Sequence, residues 1–80
     1  MDSDLFTRRL RAYRRLKQLT QQELAAAIGI SVAIVGGMER GTRMPNDIII
    51  KKLIAVLDVS RSELGLEETA PDGLEQGGGQ

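Results

Sequence analysis

Two helix-start signals separated by one glycine constrain this chain more than any other feature. Thr20 and Glu23 form a capping box, in which each side chain can bond the backbone amide of the other residue. Gly29 ends the helix that Thr20 begins, because glycine adopts the left-handed conformation without steric cost. Ser31 is a preferred N-cap residue and starts a second helix. The segment therefore predicts two short helices joined by a tight turn, the arrangement of a helix-turn-helix.

The spacing of apolar residues predicts five helices and no strand along the chain. The predicted helices span residues 4–17, 21–28, 32–40 and 47–57, followed by a short fifth helix that Ser60 caps. This fifth helix has its own capping box, formed by Ser60 and Glu63. The predicted core consists of Ile28, Ile30, Val35, Met38, Ile50, Leu53, Leu57 and Leu64. The sequence thus predicts an all-α domain.

Composition limits both the size of the fold and the chemistry open to it. Eighty residues with 41% apolar content suffice for one small domain with one core. The chain has no cysteine and no histidine, which excludes a disulfide framework and removes the commonest general base and metal ligand. No metal, cofactor or small-molecule ligand is indicated. No segment has the pattern of a signal peptide or a membrane span, so we expect a cytoplasmic protein.

The formal net charge of zero hides a difference between the two parts of the chain. Residues 1–65 contain all 11 lysines and arginines but only seven of the 11 acids, an excess of four positive charges. Residues 66–80 contain the other four acids and no base, and they are rich in glycine. We therefore expect a folded domain over residues 1–65 and a disordered acidic tail over residues 66–80. A basic domain favours a polyanion as partner.

Four short stretches resemble the lambda/434 repressor family of helix-turn-helix proteins, also called the Cro/C1 or XRE type. They are Leu19-Thr20-Gln21, Glu23-Leu24-Ala25, Gly29-Ile30-Ser31 and Glu39-Arg40-Gly41. The resemblance covers about residues 6–64 and implies a five-helix, lambda-repressor-like DNA-binding domain. It implies a sequence-specific transcriptional regulator, not an enzyme, whose third helix enters the major groove of double-stranded DNA. The stretch from Val35 to Gly41 is also similar to the controller proteins of restriction-modification systems, a branch of this family.

The resemblance further implies eight DNA-binding residues. They are Gln21, Ser31, Val32, Ala33, Gly36, Gly37, Arg40 and Arg43. In the family, the residue matching Gln21 bonds a phosphate and braces the start of the recognition helix, and the region of Arg40 and Arg43 contacts the phosphate backbone. Ser31 combines capping of the third helix with a possible phosphate contact.

The positions from which relatives read bases carry unusual residues in this chain. Val32, Ala33, Gly36 and Gly37 offer no hydrogen-bonding side chain, although valine and alanine can pack on thymine methyl groups. The glycine pair has two interpretations at this stage. It lets the helix backbone approach DNA closely, or it is tolerated in a helix held by its buried face.

The resemblance implies a structural role for two charged residues. Relatives pair an arginine and a glutamate at the positions of Arg14 and Glu39, in a largely buried ion pair between the first and third helices. The dense arginine run of the first helix is interpreted as mainly solvated, because that helix lies away from the groove in this fold.

The fourth helix carries more apolar residues than one buried face needs. This surplus predicts a homodimer through helices four and five, with a fuller monomer core as the alternative. The apolar recognition face also leaves a second function open. In that alternative, the chain is a protein-interaction module that has kept the fold and lost base reading.

Overall fold

The computed structural model describes residues 3–66, which form four α-helices and no strand. Helix α1 spans Ser3–Leu16, α2 spans Gln21–Ile28, α3 spans Val32–Arg40 and α4 spans Asp47–Leu57. The bounds of α2, α3 and α4 agree with the sequence prediction residue for residue, and α1 differs by one residue at each end. The predicted tail, apart from its first residue, lies outside the described residues.

Caps fix both ends of the turn between α2 and α3. The amide of Glu23 donates to Thr20 Oγ1 at 3.0 Å, and the amide of Thr20 donates to Glu23 Oε1 at 2.8 Å. Gly29 ends α2 in the left-handed conformation with φ at 76°, and the Ser31 hydroxyl accepts from the Ile34 amide at 3.3 Å. The chain bends by 115° between the two helices, within the range of helix-turn-helix units.

The prediction of a fifth helix is wrong. Its capping box does form, with 3.0 Å from the Glu63 amide to Ser60 Oγ and 2.8 Å from the Ser60 amide to Glu63 Oε1. Residues 61–65 nevertheless make only turns. Gly65 adopts φ of 77°, and a Cβ there would lie 2.7 Å from Leu5 Cγ, so the chain leaves the helical path at a close contact with α1. A single turn cannot recover the cost of helix nucleation.

One apolar core joins the four helices and the turns after α4. Its buried members are Phe6, Leu10, Leu24, Ala25, Ile28, Val35, Met38, Ile50, Leu53, Leu57, Leu64 and Leu66. Seven of the eight predicted core residues are in this set, and the eighth, Ile30, is half-buried against it. Leu66 is only 2% exposed, although the sequence analysis ended the domain one residue earlier.

Burial of Leu66 predicts where the chain can be shortened. A chain that ends after Leu66 should keep the melting temperature of the full chain, because it retains every core residue found within residues 3–66. In the full-length chain, Leu66→Ala should lower the free energy of unfolding by about 2–5 kcal/mol, the usual cost of truncating a buried leucine. Thermal unfolding followed by circular dichroism measures both. A marked fall in melting temperature on removal of residues 67–80 would contradict the prediction.

Within residues 3–66, no single helix is long and apolar enough to cross a membrane. The pair α2 and α3 meets that requirement only when its two helices are counted together across their 115° bend. Nowhere in residues 3–66 do three acidic side chains lie close enough together to hold a metal ion.

Candidate DNA-binding interface

The structure places the eight predicted DNA-binding residues in and around the helix-turn-helix unit. The exposed ones are Ser31, Val32, Ala33, Arg40 and Arg43; Gln21 is half-buried, and Gly36 and Gly37 are buried. The set therefore includes exposed positions at both ends of α3 and a covered pair in its middle.

The beginning of α3 presents a mostly apolar surface. Val32 is 41% exposed and Ala33 is also exposed, and neither side chain has a hydrogen-bonding group. The Ser31 hydroxyl accepts from the Ile34 amide, which leaves its own proton free to be donated outward. This end of α3 can therefore offer van der Waals contact and one hydroxyl donor to a partner.

The two glycines of α3 are covered by side chains that follow them in the chain. A Cβ at Gly36 would lie 2.9 Å from Nη1 of Arg40, and a Cβ at Gly37 would lie 3.3 Å from Cβ of Arg43. The amide and hydroxyl of Thr42 also donate to the Gly37 carbonyl, at 2.9 and 3.2 Å. The glycine pair thus makes room for two arginines. The sequence analysis did not consider this role, although the four-residue spacing of Gly36 and Arg40 was its available signal.

Gln21 connects the start of α2 to the buried part of α3. Its Nε2 donates to Glu39 Oε1 at 3.1 Å, which uses one of the two hydrogens on that nitrogen. The second hydrogen stays available to an outside acceptor. Gln21 is therefore held in place by the end of α3, whereas the resemblance implies that it braces the start of that helix.

Glu39 is the centre of a buried polar cluster between three helices. Its side chain is only 2% exposed, and its two carboxylate oxygens accept from Arg14 Nε at 2.5 Å and Arg14 Nη2 at 3.0 Å. Arg14 also donates to the Leu19 carbonyl at 2.7 Å, and Arg11 donates to the Glu39 carbonyl at 2.9 Å. The implied ion pair between α1 and α3 is therefore confirmed, and Gln21 adds α2 to the same cluster.

Charge and hydrogen bonding keep this cluster ionised. Burial by itself raises the pKa of Glu39, but hydrogen bonds from Arg14 and Gln21, together with the positive charges of Arg14 and Arg11, outweigh it and lower the pKa below its ordinary 4.5. The hydrogen bond to Glu39 raises the pKa of Arg14, against the opposing effect of burial. Both groups are thus charged at neutral pH, and their role is to hold α3 in position.

The arginines divide into structural and available ones. Arg9 donates to the Glu63 carbonyl at 2.8 Å and Arg11 to that of Glu39, so two members of the α1 run fix distant parts of the chain. Sequence reasoning missed these bonds because their partners are backbone carbonyls, which leave no pattern in the residues. By contrast, the side chains of Arg40 and Arg43 make no hydrogen bond or ion pair within residues 3–66. Their guanidinium donors remain available to a partner.

Comparisons with known proteins agree with this geometry. A helix-turn-helix family model matches residues 10–64. The chain is 46% identical over 68 residues to the uncharacterized HTH-type transcriptional regulator YazB of Bacillus subtilis, covering 85% of this chain and 99% of YazB. It is 43% identical over 51 residues to the uncharacterized HTH-type transcriptional regulator y4dJ of Sinorhizobium fredii, covering 64% of this chain and 66% of y4dJ.

A solved structure shares the fold as well as the sequence pattern. The crystal structure of the restriction-modification controller protein C.AhdI from Aeromonas hydrophila superposes with a TM-score of 0.71 and 42% sequence identity. The match covers 79% of this chain and 98% of the controller protein. The likeness therefore extends over most of the described helices, beyond the helix-turn-helix unit itself.

Proposed function

The chain belongs to the Cro/C1-type helix-turn-helix family of DNA-binding transcriptional regulators, which are not enzymes, and from this premise we propose that it is a sequence-specific regulator that inserts α3 into the major groove. The observation that carries the proposal is the grouping of available donors around α3. Gln21 and Arg40 border Gly36, and Arg43 borders Gly37. A duplex lying along this side of the helix-turn-helix would meet these donors together.

In this proposal, affinity comes mainly from phosphate contacts. Gln21, Arg40 and Arg43 bind backbone oxygens, and Ser31 adds its hydroxyl proton at the start of α3. Val32 and Ala33 supply the base contacts by packing on thymine methyl groups. Binding of this kind releases counterions, so the affinity should fall steeply as salt is added. Regulation would follow from occupying a promoter or recruiting polymerase, and we propose that it takes place in the cytoplasm.

We further propose that the regulator binds as a homodimer through α4 and the turns that follow it. The support comes from Ile48, which is 65% exposed on α4. Most of the apolar surplus of α4 is already used, since Ile49, Ile54 and Val56 pack partly against the core. Two copies joined at this surface would present their α3 helices to successive major grooves, ~34 Å apart on the duplex.

One observation favours a second candidate function. The exposed start of α3 carries Val32 and Ala33, neither of which can read bases by hydrogen bonds. Such a surface also suits an interaction module that binds another protein and has lost base reading. The two functions differ in their response to salt and to DNA sequence.

Selection of random duplex DNA on the purified protein tests the proposal. We expect enrichment of an inverted repeat, because a dimer presents two symmetry-related α3 helices. Fluorescence anisotropy with the enriched duplex, at two salt concentrations, should show an affinity that falls steeply with salt.

Three other results of this selection would contradict part or all of the proposal. Salt-sensitive binding without an enriched sequence would contradict sequence-specific regulation and indicate recognition of DNA shape or backbone alone. Absence of binding at low salt would overturn the regulator proposal and favour the protein-interaction module. Enrichment of a single half-site would contradict the homodimer while leaving DNA recognition in place.

A further inference from the structure

Arg40 lies over the backbone of α3 at the place where a side chain of residue 36 would stand. Position 36 is one turn before Arg40, and long side chains on a helix run back toward its N-terminus. A Cβ at Gly36 would come within 2.9 Å of Arg40 Nη1 and 3.8 Å of Arg40 Cζ. Any residue other than glycine at position 36 would therefore displace the guanidinium.

Gln21 reaches the same place from α2. Its Oε1 atom lies 3.9 Å from the position of a Cβ at Gly36. The Gln21 side chain is fixed there by its hydrogen bond to the buried Glu39. The absence of a side chain at residue 36 thus lets polar groups from two helices, Arg40 at the end of α3 and Gln21 at the start of α2, approach one point on the surface.

We propose that Gly36 is a positioning residue for DNA binding, which seats Arg40 beside Gln21 so that both contact the same DNA phosphate. This inference rests on the proposed function and assigns the glycine a role within it. Arg40 is suited to the task because its guanidinium makes no hydrogen bond or ion pair with residues 3–66, so all the guanidinium donors are available to the anion. The donors to the phosphate would be the Arg40 guanidinium and the second Nε2 hydrogen of Gln21, which the bond to Glu39 leaves free. Hydrogen bonds from the guanidinium to a phosphate are charge-assisted and belong to the strong class.

The inference separates the effects of one substitution on folding and on binding. Gly36→Ala should keep or raise the melting temperature, because alanine is the better helix former and the only close neighbour is the mobile end of Arg40. The same change should weaken binding to the selected duplex about tenfold, by moving one charge-assisted contact out of place. It should also make the dependence of log affinity on log salt shallower by about one.

A double-mutant cycle tests whether Gly36 acts through Arg40. Four proteins are compared by anisotropy on the selected duplex at several salt concentrations: the parent, Gly36→Ala, Arg40→Ala and the double variant. Circular dichroism monitors their folding. We expect Gly36→Ala to weaken binding in the parent and to have no further effect once Arg40 is alanine.

Each remaining outcome overturns the inference. Equal weakening by Gly36→Ala in both backgrounds would show that the glycine acts on DNA without Arg40. Unchanged DNA binding by Gly36→Ala would show that the position of Arg40 over Gly36 is not needed for binding. If the parent binds no duplex, both the proposed function and this inference are overturned. If the parent binds and the Gly36→Ala variant binds equally tightly, only this inference is overturned.

Discussion

Glu39→Ala is expected to lower the free energy of unfolding by about 3–5 kcal/mol, the usual cost of removing one partner from a buried ion pair. The reason is that the charged Arg14 side chain is only 11% exposed. Without Glu39, its Nε and Nη2 donors would lose the carboxylate that accepts them. In a domain of this size the melting temperature should fall by about 12 °C or more. Thermal unfolding followed by circular dichroism measures the loss.

The matched control removes both partners. A double variant, Arg14→Met with Glu39→Leu, replaces the pair by apolar side chains of similar volume and should recover much of the loss, since no charge is left buried alone. Recovery would identify the unpaired arginine as the cause. A single Glu39→Ala variant as stable as the parent would contradict the central role of this cluster.

Acid should act on the same cluster in a defined direction. The folded pKa of Glu39 lies below its ordinary value of 4.5, because hydrogen bonds and positive charges outweigh the effect of burial. The unfolded chain therefore binds this proton more tightly than the folded chain. The stabilisation is complete above 4.5 and is lost as the pH falls through the folded pKa. The double variant should lose less stability on acidification than the parent.

Ala33→Glu is expected to weaken DNA binding by about 100-fold or more while leaving the fold intact. A carboxylate facing the duplex from the start of α3 costs several kcal/mol of repulsion, and each step of about 1.4 kcal/mol is tenfold in affinity. The domain itself should tolerate the change, because Ala33 is exposed and an acid in the first turn of a helix is favourable. Anisotropy titration with the selected duplex measures the loss.

Ala12→Glu is the matched control for this substitution. Ala12 is an exposed alanine in α1, so the variant carries the same change in net charge on a helix that the proposed function places away from the groove. Its affinity should stay close to that of the parent. Equal weakening by both variants would mean that net charge alone governs binding, and the assignment of α3 to the groove would fail.

The sequence predicted the bounds of three helices correctly because residues close together in the chain determine where those helices begin and end. Thr20, Ser31 and Asn46 each accept an amide hydrogen bond at the start of a helix, and such caps depend on residues three positions apart. The same logic failed at Ser60, where the capping box forms but no helix follows. What ends that segment is the close contact of Gly65 with Leu5 on α1, which is distant in sequence.

The positions of the candidate site stay a prediction from the resemblance, and the contacts between them come from the structure. The resemblance pointed to Gln21, Arg40 and the glycine pair, and the structure brings these residues together. The resemblance did not indicate that Arg40 covers Gly36. Their four-residue spacing allows the contact, but it does not fix the direction of a long side chain. The resemblance also gave no sign that Arg11 bonds the Glu39 carbonyl, since every residue has such an acceptor.

The residues that hold α3 in place are distinct from those at its exposed start. Val35, Met38 and Glu39 are buried and fix the helix, whereas Val32 and Ala33 face outward. Under the proposed function, exchange at these two outward positions would alter operator preference without a new fold. The domain would then be a scaffold for redesigned DNA recognition, in which the outward positions change and the buried ones retain the architecture.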